Sequence, residues 1–313
     1  MNLESIQYDL AIIGGGPGGV SGGIYAARKR LKTVFITESW GGQSTVSDEI
    51  QNWVGTIAIS GQKLADDLKA HLKHYAGESL SIQDNTRVKS VEKIEGGFSI
   101  QTNKNTFTAK TILITTGSHR RKLDILGAKE FENRGITYCA TCDAPLFGDM
   151  DVVVIGGGNA AFESAIQLTA YAKSVTLLNR GEDFRADSVT VEKALKNPRF
   201  RAILNAVPKE IKGEKFVSSI IYTNKETDQD IELPVSGVFV EIGLLPSTDA
   251  FEKIVELNQF KQIITDPRTQ QTKTQGIWAA GDCTDGYYHQ NNIAAGDAVK
   301  ALEDIYIYLH KNS

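Results

Sequence analysis

The sequence predicts an α/β protein, because a strand, a glycine-rich turn, a helix and a second strand follow one another twice. The first copy starts with the apolar run 8–13, and its turn covers 14–19. The second copy starts at 150–155, and its turn covers 156–161. The two turns begin 142 residues apart, since 156 − 14 = 142. Two copies of such a Rossmann-like unit indicate two dinucleotide sites, or two halves of a duplication of which one is inactive.

Length and charge narrow the class of protein. A chain of 313 residues allows about two domains, and 41% hydrophobic residues is ordinary for a globular protein. The net charge of −4 and the lack of a Lys/Arg-rich block argue against a nucleic-acid groove. No apolar run approaches the ~20 residues that cross a bilayer, and the first residues do not resemble a signal peptide. We therefore expect a cytoplasmic protein that binds neither nucleic acid nor membrane.

The first glycine-rich turn has the composition of a dinucleotide site. Gly14, Gly16 and Gly19 fit G-x-G-x-x-G, Pro17 lies in the same turn, and the next predicted strand ends at Glu38. Glycines allow the backbone to approach a pyrophosphate at the helix N-terminus, and a carboxylate at the strand end accepts ribose hydroxyls. With every element in order, a dinucleotide site is favoured over a tight structural turn.

Regular patterns fill the segments between and after these copies. Leucines four residues apart predict a helix over 61–75, and alternating residues predict a hairpin around 95–97. A strand over 111–115 ends at Thr116-Gly117. Further predicted strands are 175–178, 202–204, 215–222, 231–233 and 238–242.

Near the C-terminus an apolar strand ends in Gly281-Asp282, and a helix is predicted from Asn292 to about Tyr308. The acid can accept from hydroxyl groups, and a helix N-terminus favours negative charge. This arrangement fits a polar chain joined to an electron-rich ring. The alternative is that Asp282 only caps a helix or a turn.

The segment Cys139-Ala140-Thr141-Cys142-Asp143 reads as a redox dithiol. Its spacing lets both sulfurs meet within one turn, and a thiolate near a helix start is nucleophilic. The alternatives are half of a zinc site or two unrelated buried thiols. Zinc needs four ligands, and the sequence offers only Cys283 and five scattered histidines besides. We therefore expect no metal and a catalytic cysteine pair in a reducing compartment.

Taken in order, these motifs resemble the low-molecular-weight, bacterial-type thioredoxin reductases over essentially the whole chain. The runs 135–139, 205–206, 238–240 and 242–246 are closer still to the flavoprotein part of bacterial alkyl hydroperoxide reductase. The additional N-terminal thioredoxin-like domain of that protein is expected to be absent, because the first nucleotide-binding strand already begins at Tyr8.

The resemblance implies a homodimeric FAD enzyme with two Rossmann-like domains of the three-layer ββα type. The FAD domain would comprise 1–118 and 245–313, and the NAD(P)H domain with the redox cysteines would be inserted as 119–244. Cys142 would lie against the flavin, Cys139 would be the exchange thiol, and Asp143 would donate and accept protons.

Motif positions also carry over the cofactor contacts. Residues implied for FAD are Gly14, Gly16, Pro17, Gly19, Glu38, Gly42, Gln43, Asn52, Thr116, Gly117, Gly281, Asp282, His289 and Gln290. Residues implied for NAD(P)H are Gly156, Gly158, Asn159, Ala160, Arg180 and Arg185.

The donor nucleotide depends on the segment Asn179 to Arg185, where NADPH-using relatives have a His-Arg-Arg and a later Arg. No acid directly follows the strand, so Arg180 and Arg185 favour the 2′-phosphate of NADPH, with NADH possible. The alternative is that these arginines bind only solvent or Glu182. Ala144 replaces the usual glycine after the dithiol, and His289 replaces an Arg or Lys.

The expected function is an NAD(P)H-dependent disulfide reductase that acts on thioredoxin or a similar small thiol protein. A flavin disulfide oxidase that uses oxygen is the main alternative, because it shares the fold and tends to have a degraded nicotinamide site. A ferredoxin-fed thioredoxin reductase, or a redox-sensing flavoprotein, is disfavoured because the turn Gly156 to Ala161 still suits a phosphate.

Overall fold

The computed structural model describes residues 7–47, 50–138 and 140–311, with the side chains of Val46, Thr141 and Cys142 excepted. The chain divides into two compact units. Unit 1 consists of Met1–His119 together with Leu245–Ser313, and unit 2 is Arg120–Leu244. Each unit contains a parallel sheet with a glycine turn at the end of its central strand.

The first part of unit 1 contains the first repeat and a hairpin layer. Apolar runs such as 10–13 are buried on both sheet faces, as strands of a parallel sheet require. Helix α1 begins with Pro17, which has no N–H to leave unsatisfied, and Ser60 caps α2 by accepting from the Lys63 N–H. The elements are β1 (Tyr8–Gly15), α1 (Pro17–Arg28), β2 (Thr33–Trp40), α2 (Gly61–Ala76), β3 (Leu80–Gln83), β4 (Val88–Ile94), β5 (Gly97–Thr102) and β6 (Thr106–Ile114).

Unit 2 contains the second repeat and a separate antiparallel sheet. Its elements, with β7 where the chain enters, are β7 (Ser118–Arg120), β8 (Ile136–Thr137), α3 (Ala140–Asp143), β9 (Asp151–Ile155), α4 (Asn159–Leu168), β10 (Ser174–Leu178), α5 (Ser188–Leu195), β11 (Phe200–Ile203), β12 (Ala206–Gly213), β13 (Val217–Asn224), β14 (Gln229–Pro234) and β15 (Gly237–Val240). The chain then returns through β16 (Leu244–Pro246), which pairs with β7, and unit 1 ends with β17 (Ile277–Ala279) and α6 (Asn291–Lys311).

The sheet of unit 1 has the order β3-β2-β1-β6-β5-β4, with β17 also paired to β6. Strands β3, β2, β1, β6 and β17 are parallel neighbours, and β4 and β5 are antiparallel. One face packs on α1, α2 and α6 around Phe35, Leu113 and Trp278. The other face packs on the antiparallel strands around Phe98 and Phe251. The layers are therefore helix, parallel strands and antiparallel strands.

The parallel sheet of unit 2 has the order β11-β10-β9-β15-β8. Helix α4 packs on one face through the fully buried Phe162. The three antiparallel strands β12, β13 and β14 supply Ile211 and Ile220 to the core on the other face. Unit 2 thus repeats the layer order of unit 1.

Some element predictions differ from the structure. Strand β2 does not end at Glu38 but continues to Trp40, because Trp40 pairs with Gly15 across a register shift. Strands β3 and β12 and helix α5 were not predicted, and β13 begins two residues later than 215. None of the helices in the part of the chain that the structure describes is long and apolar enough to cross a membrane.

Candidate functional site

The turn between β1 and α1 is held by close backbone packing. Gly14 has φ +127°, and a Cβ built there would lie 2.2 Å from the carbonyl oxygen of Thr115 on the neighbouring strand. A Cβ at Gly19 would lie 1.9 Å from the carbonyl oxygen of Gly14. These two glycines are therefore required by the fold of the turn itself.

Gly16 differs from these neighbours. Its φ of −79° is open to any residue, and a Cβ there would meet no described atom within 4 Å. Gly16 nevertheless lines a cleft of about 870 Å³, a volume within the usual range for ligand sites of roughly 300–1,000 Å³. Its missing side chain thus leaves the helix N-terminus open to the cleft, as a bound phosphate requires.

Most residues predicted for FAD lie around this cleft. Its lining includes Gly14, Gly16, Pro17, Glu38, Gly42, Gln43, Thr116, Gly117, Gly281 and Asp282. Gly19 lies behind the turn and acts through packing. The glycine cradle, the acid at one end and the Gly-Asp pair at the other fit a dinucleotide such as FAD.

Polar contacts fix the rim of the cleft. The Thr116 hydroxyl donates to the Ser247 carbonyl oxygen at 2.7 Å, and the Ser118 hydroxyl donates to Asp282 Oδ2 at 3.4 Å. Glu38 is exposed, and its Oε2 lies 3.8 Å from Nε of Arg87. Both Glu38 and Arg87 line the cleft, so the ribose end carries one charge of each sign.

A second cavity of about 480 Å³ shares Gln43 and Asp282 with the cleft. Asn52, His289 and Gln290 line it, as predicted residues for the flavin end. Asn52 Nδ2 donates to Gln290 Oε1 at 3.0 Å. His289 Nε2 is buried and has no hydrogen-bond partner among the described residues, so it can bind a polar ligand atom.

The glycine turn of unit 2 has the same construction. Gly156 has φ +150°, and a Cβ there would lie 2.3 Å from the Glu241 carbonyl oxygen at the end of the neighbouring strand β15. A Cβ at Gly158 would meet none of the described atoms within 4 Å. Asn159 and Ala160 begin α4, and Asn159 Oδ1 accepts from the Asp187 N–H at 2.8 Å. The cradle therefore suits a second dinucleotide phosphate.

The loop after β10 carries the two predicted arginines. Asn179 is buried, and its Nδ2 donates to the carbonyl oxygens of Gly181 at 3.2 Å and Asp183 at 2.9 Å. The Arg185 N–H donates to the Gly157 carbonyl oxygen at 2.7 Å, which ties the loop to the turn. Arg180 and Arg185 are exposed, and neither forms an ion pair with any residue that the structure describes. The alternative in which Glu182 pairs with them is therefore wrong for this structure.

The redox segment is described only in part. Cys139 lies outside the described residues, and Cys142 is described only as a backbone position in α3. Asp143 ends this helix, and its Oδ2 accepts from the Thr137 hydroxyl. Ala144 is fully buried, so its methyl group has a place in the core. The described residues contain no group of three or more His, Cys, Asp and Glu that could hold a metal.

Cys283 is a buried thiol outside the predicted dithiol. Its side chain is 0% exposed, and burial raises its pKa to about 11. A thiol in this state is neither accessible nor ionised near pH 7, so it reacts slowly. We predict that the reduced native protein titrates with Ellman's reagent as two fast thiols, and that the third reacts only after denaturation. Three fast thiols in the native protein would contradict this.

Several residues around the cradles carried no sequence signal. Thr115, Ser247 and Arg87 reach the first cleft from distant parts of the chain. Glu241 reaches the second turn from the end of β15. The offset of 142 residues could have revealed one relation, because it aligns Glu38 with Arg180 (180 − 38 = 142).

Comparison with known proteins agrees with this architecture. The family model for pyridine nucleotide-disulphide oxidoreductases matches residues 8–298. The chain is 38% identical over 306 residues to a Bacillus subtilis (strain 168) protein named NADH dehydrogenase, with coverage of 97% of this chain and 59% of that one. It is 36% identical over 305 residues to an alkyl hydroperoxide reductase protein of Escherichia coli (strain K12), with coverage of 96% and 58%.

The chain therefore spans about three-fifths of the length of these curated relatives. Among solved structures, thioredoxin reductase from Lactococcus lactis matches with a TM-score of 0.87 and 33% identity, covering 97% of this chain and 99% of that one. These matches confirm the predicted resemblance, the α/β fold with two dinucleotide-binding domains and the enzyme class of oxidoreductase. Because the family model spans nearly all of the sequence, the chain belongs to the pyridine nucleotide-disulphide oxidoreductase family.

Proposed function

We propose that the chain is an FAD-dependent disulfide reductase that passes electrons from NAD(P)H to a thioredoxin-like small thiol protein. Family membership implies FAD and a nicotinamide dinucleotide as cofactors. The proposal is carried by the presence of two glycine cradles of the same build, one in each unit, beside the Cys139-x-x-Cys142 motif of unit 2. One chain then holds places for an electron donor, an electron carrier and an exportable dithiol.

Bound FAD would supply two-electron chemistry between a nicotinamide and a disulfide. Reduction of the Cys139–Cys142 disulfide takes two electrons and two protons and leaves two thiols. The Cys139 thiolate then attacks the disulfide of the partner, so that a mixed disulfide forms and one partner thiolate leaves. The Cys142 thiolate attacks Cys139 in the mixed disulfide. The chain regains its disulfide, and the partner leaves as a dithiol.

Asp143 is the proton carrier in this proposal. The Thr137 hydroxyl donates to its Oδ2, which orients the carboxyl group at the end of α3. Since the two cysteines lie one and four residues before it, the carboxyl group is close in sequence to both thiols. It can therefore exchange protons with the dithiol as the disulfide opens and closes.

For the donor we propose NADPH over NADH. The internal repeat supports this, because Arg180 occupies the position that Glu38 holds in unit 1, and a base there suits a 2′-phosphate where an acid suits ribose hydroxyls. Arg185 is held beside the turn by its N–H. The name of the Bacillus subtilis relative favours NADH instead, so the preference needs a direct measurement.

We predict that Arg180→Ala lowers kcat/KM for NADPH by roughly 10- to 100-fold, the range expected for one charge-assisted contact, and changes kcat/KM for NADH by less than about threefold. Steady-state kinetics with both nucleotides measures this. Arg134→Ala is the matched control, because this exposed arginine precedes β8 at the amino edge of the same sheet. Equal loss with both nucleotides, or none, would contradict the assignment.

An anaerobic experiment tests the function as a whole. The purified yellow protein is mixed with NADPH or NADH, and the flavin absorbance is followed before and after addition of an oxidised small thiol protein. Rapid bleaching followed by reduction of the partner supports a reductase. Absence of bleaching with either nucleotide would refute it. Peroxide formation driven by a small dithiol would favour the oxidase, and bleaching by reduced ferredoxin alone would favour the ferredoxin-fed reductase.

The assembly and location follow the resemblance and belong to the same proposal. We infer a homodimer and a cytoplasmic location. Light scattering of the flavin-loaded protein tests the dimer, for which twice the chain mass is expected at micromolar concentration. The neighbours named thioredoxin reductase support a thioredoxin-like substrate, whereas the alkyl hydroperoxide reductase relatives act with a different partner.

A further inference from the structure

Unit 2 contains a buried ion pair that the predicted site does not include. Glu241 follows β15 directly, and its side chain is 8% exposed. Its Oε1 accepts from the Ser164 hydroxyl at 2.8 Å, and its Oε2 accepts from Arg120 Nη1 at 3.0 Å. Burial raises the pKa of this carboxyl group, while Arg120 and Ser164 act in the opposite direction. A charge kept in such a place needs an explanation beyond stability, because buried pairs often contribute little to it.

The position of Glu241 in the sheet indicates which part of a dinucleotide it faces. In the strand order β10-β9-β15, the glycine turn follows the central strand β9. The arginines of the ribose-phosphate end follow β10 on one side, and Glu241 follows β15 on the other. A dinucleotide lies across this crevice, so its second nucleoside falls on the β15 side. In a nicotinamide dinucleotide that nucleoside carries the nicotinamide.

Backbone contacts fix Glu241 against the phosphate turn. Its N–H donates to the Ile155 carbonyl oxygen at 2.8 Å, and its own carbonyl oxygen is the atom that a Cβ at Gly156 would meet. Ser164 lies on α4, the helix that begins at the same turn. The carboxylate is therefore held in a fixed relation to the place where the pyrophosphate would bind.

The hydrogen-bonding capacity of the pair is not exhausted. Each carboxylate oxygen accepts one bond and has a further lone pair. Arg120 Nε is a buried donor without a partner among the described residues. One free donor beside free acceptor positions complements a primary carboxamide, which offers one acceptor oxygen and two N–H donors. The adenine end of the nucleotide has no such group.

We propose that Glu241, oriented by Ser164 and Arg120, binds the carboxamide N–H of the nicotinamide and so distinguishes nicotinamide from analogues that lack this donor. The inference rests on the proposed use of a nicotinamide dinucleotide. It adds a residue that selects the reactive ring, whereas Arg180 and Arg185 act at the opposite end of the nucleotide.

The test compares three ligands by calorimetry with the oxidised flavoprotein. NADP⁺ carries the carboxamide, its 3-acetylpyridine analogue replaces the NH₂ with a methyl group, and 2′-phospho-ADP-ribose lacks the ring. For the wild type we expect the acetylpyridine analogue to bind roughly 10- to 100-fold more weakly than NADP⁺, the range for a hydrogen bond to a charged group. In Glu241→Ala this difference should fall below about threefold, while 2′-phospho-ADP-ribose keeps its wild-type affinity within about twofold.

Two further variants keep the result interpretable. Glu241→Gln retains an acceptor of the same size, so it should fold like the wild type and keep part of the discrimination. Glu232→Ala is the matched control, because Glu232 accepts from the Ser219 hydroxyl at 2.6 Å and pairs with Lys212 at 3.4 Å in the antiparallel sheet of the same unit. It should leave all three affinities unchanged.

The outcomes separate this inference from the proposed function. If Glu241→Ala weakens all three ligands equally, or leaves the discrimination intact, the pair is structural and the inference is wrong. If the wild type binds neither NADP⁺ nor NAD⁺, the proposed function itself fails. If it binds only NAD⁺, the same comparison with NAD⁺, its acetylpyridine analogue and ADP-ribose decides the question.

Discussion

Cys139→Ser should abolish reduction of a protein disulfide, with a loss of at least roughly 10³-fold in kcat, the scale expected when a nucleophile is removed. A serine hydroxyl is not ionised near neutral pH and cannot form a mixed disulfide, so electrons have no exit to the partner. Reduction of the flavin by NADPH should stay within about threefold of the wild-type rate, because neither glycine cradle is altered. Stopped-flow flavin absorbance and a coupled disulfide assay measure the two steps separately.

Cys142→Ser should give the same loss of turnover with a different product. It retains Cys139 as a free thiol, which attacks the partner but cannot be released by a second thiol. A stable mixed disulfide with the partner should therefore accumulate, and mass spectrometry should find it on Cys139. If the mixed disulfide forms on Cys142 in the Cys139→Ser variant instead, the assigned roles of the two cysteines are reversed.

Cys283→Ala is the control for both variants. Cys283 Sγ is fully buried and lies 3.5 Å from the Ala280 carbonyl oxygen, so it has no path to a protein partner. This variant should retain disulfide reduction. Turnover above a tenth of the wild-type rate in Cys139→Ser would show that the exchange thiol lies elsewhere, and turnover lost in Cys283→Ala would indicate a role for the buried thiol.

The sequence allowed the duplicated unit to be predicted because its signals are local. A strand, a glycine turn and a helix start occupy about 20 consecutive residues in each copy, and their spacing is set by backbone geometry. Elements without such a signal were missed. Only Ala194 is buried in α5, so no apolar stripe marks this helix. Strand β12 contains Pro208 and alternates charged with apolar residues near its end, which obscures a strand pattern.

The contacts that shape the cradles could not be predicted for a different reason. The partner of Gly14 is Thr115, which lies 101 residues away, and the partner of Gly156 is Glu241, which lies 85 residues away. Such pairs are fixed by the order of strands in the sheet, which no local pattern records. Glycine spacing predicts that a turn exists, whereas the topology decides which residue closes it.

Comparison of the two cradles shows which features the fold requires and which a ligand selects. Thr37 and Asn179 are related by the offset of 142, and each donates from its side chain to a carbonyl oxygen two residues later. This contact shapes the loop in both units. The next residue differs in charge, being Glu38 in one unit and Arg180 in the other. The shared contact is structural, so the difference in charge is where the two nucleotide preferences can diverge.

The turn of unit 1 offers a sharp test of this distinction. Gly16→Ala should give a folded protein that is purified without flavin and binds added FAD at least about 100-fold more weakly than the wild type. The residue has an extended backbone, and no described atom lies within 4 Å of the new methyl group, so the apoprotein should keep its Tm within about 2 °C. The methyl group would occupy the cleft that Gly16 lines, where it blocks the approach of a pyrophosphate to the backbone.

Gly14→Ala should behave differently although it lies only two residues away. At φ +127° an alanine is strained, and its Cβ would lie 2.2 Å from the Thr115 carbonyl oxygen, a backbone atom that cannot move without disturbing β6. The apoprotein should lose more than about 1 kcal/mol of stability, which lowers the Tm by roughly 2–4 °C or more. Thermal unfolding of the two apoproteins and fluorescence titration with FAD separate folding from binding. Equal Tm losses in both variants would mean that Gly16 serves the fold, and flavin retained by Gly16→Ala would mean that the cofactor phosphate does not bind at this turn.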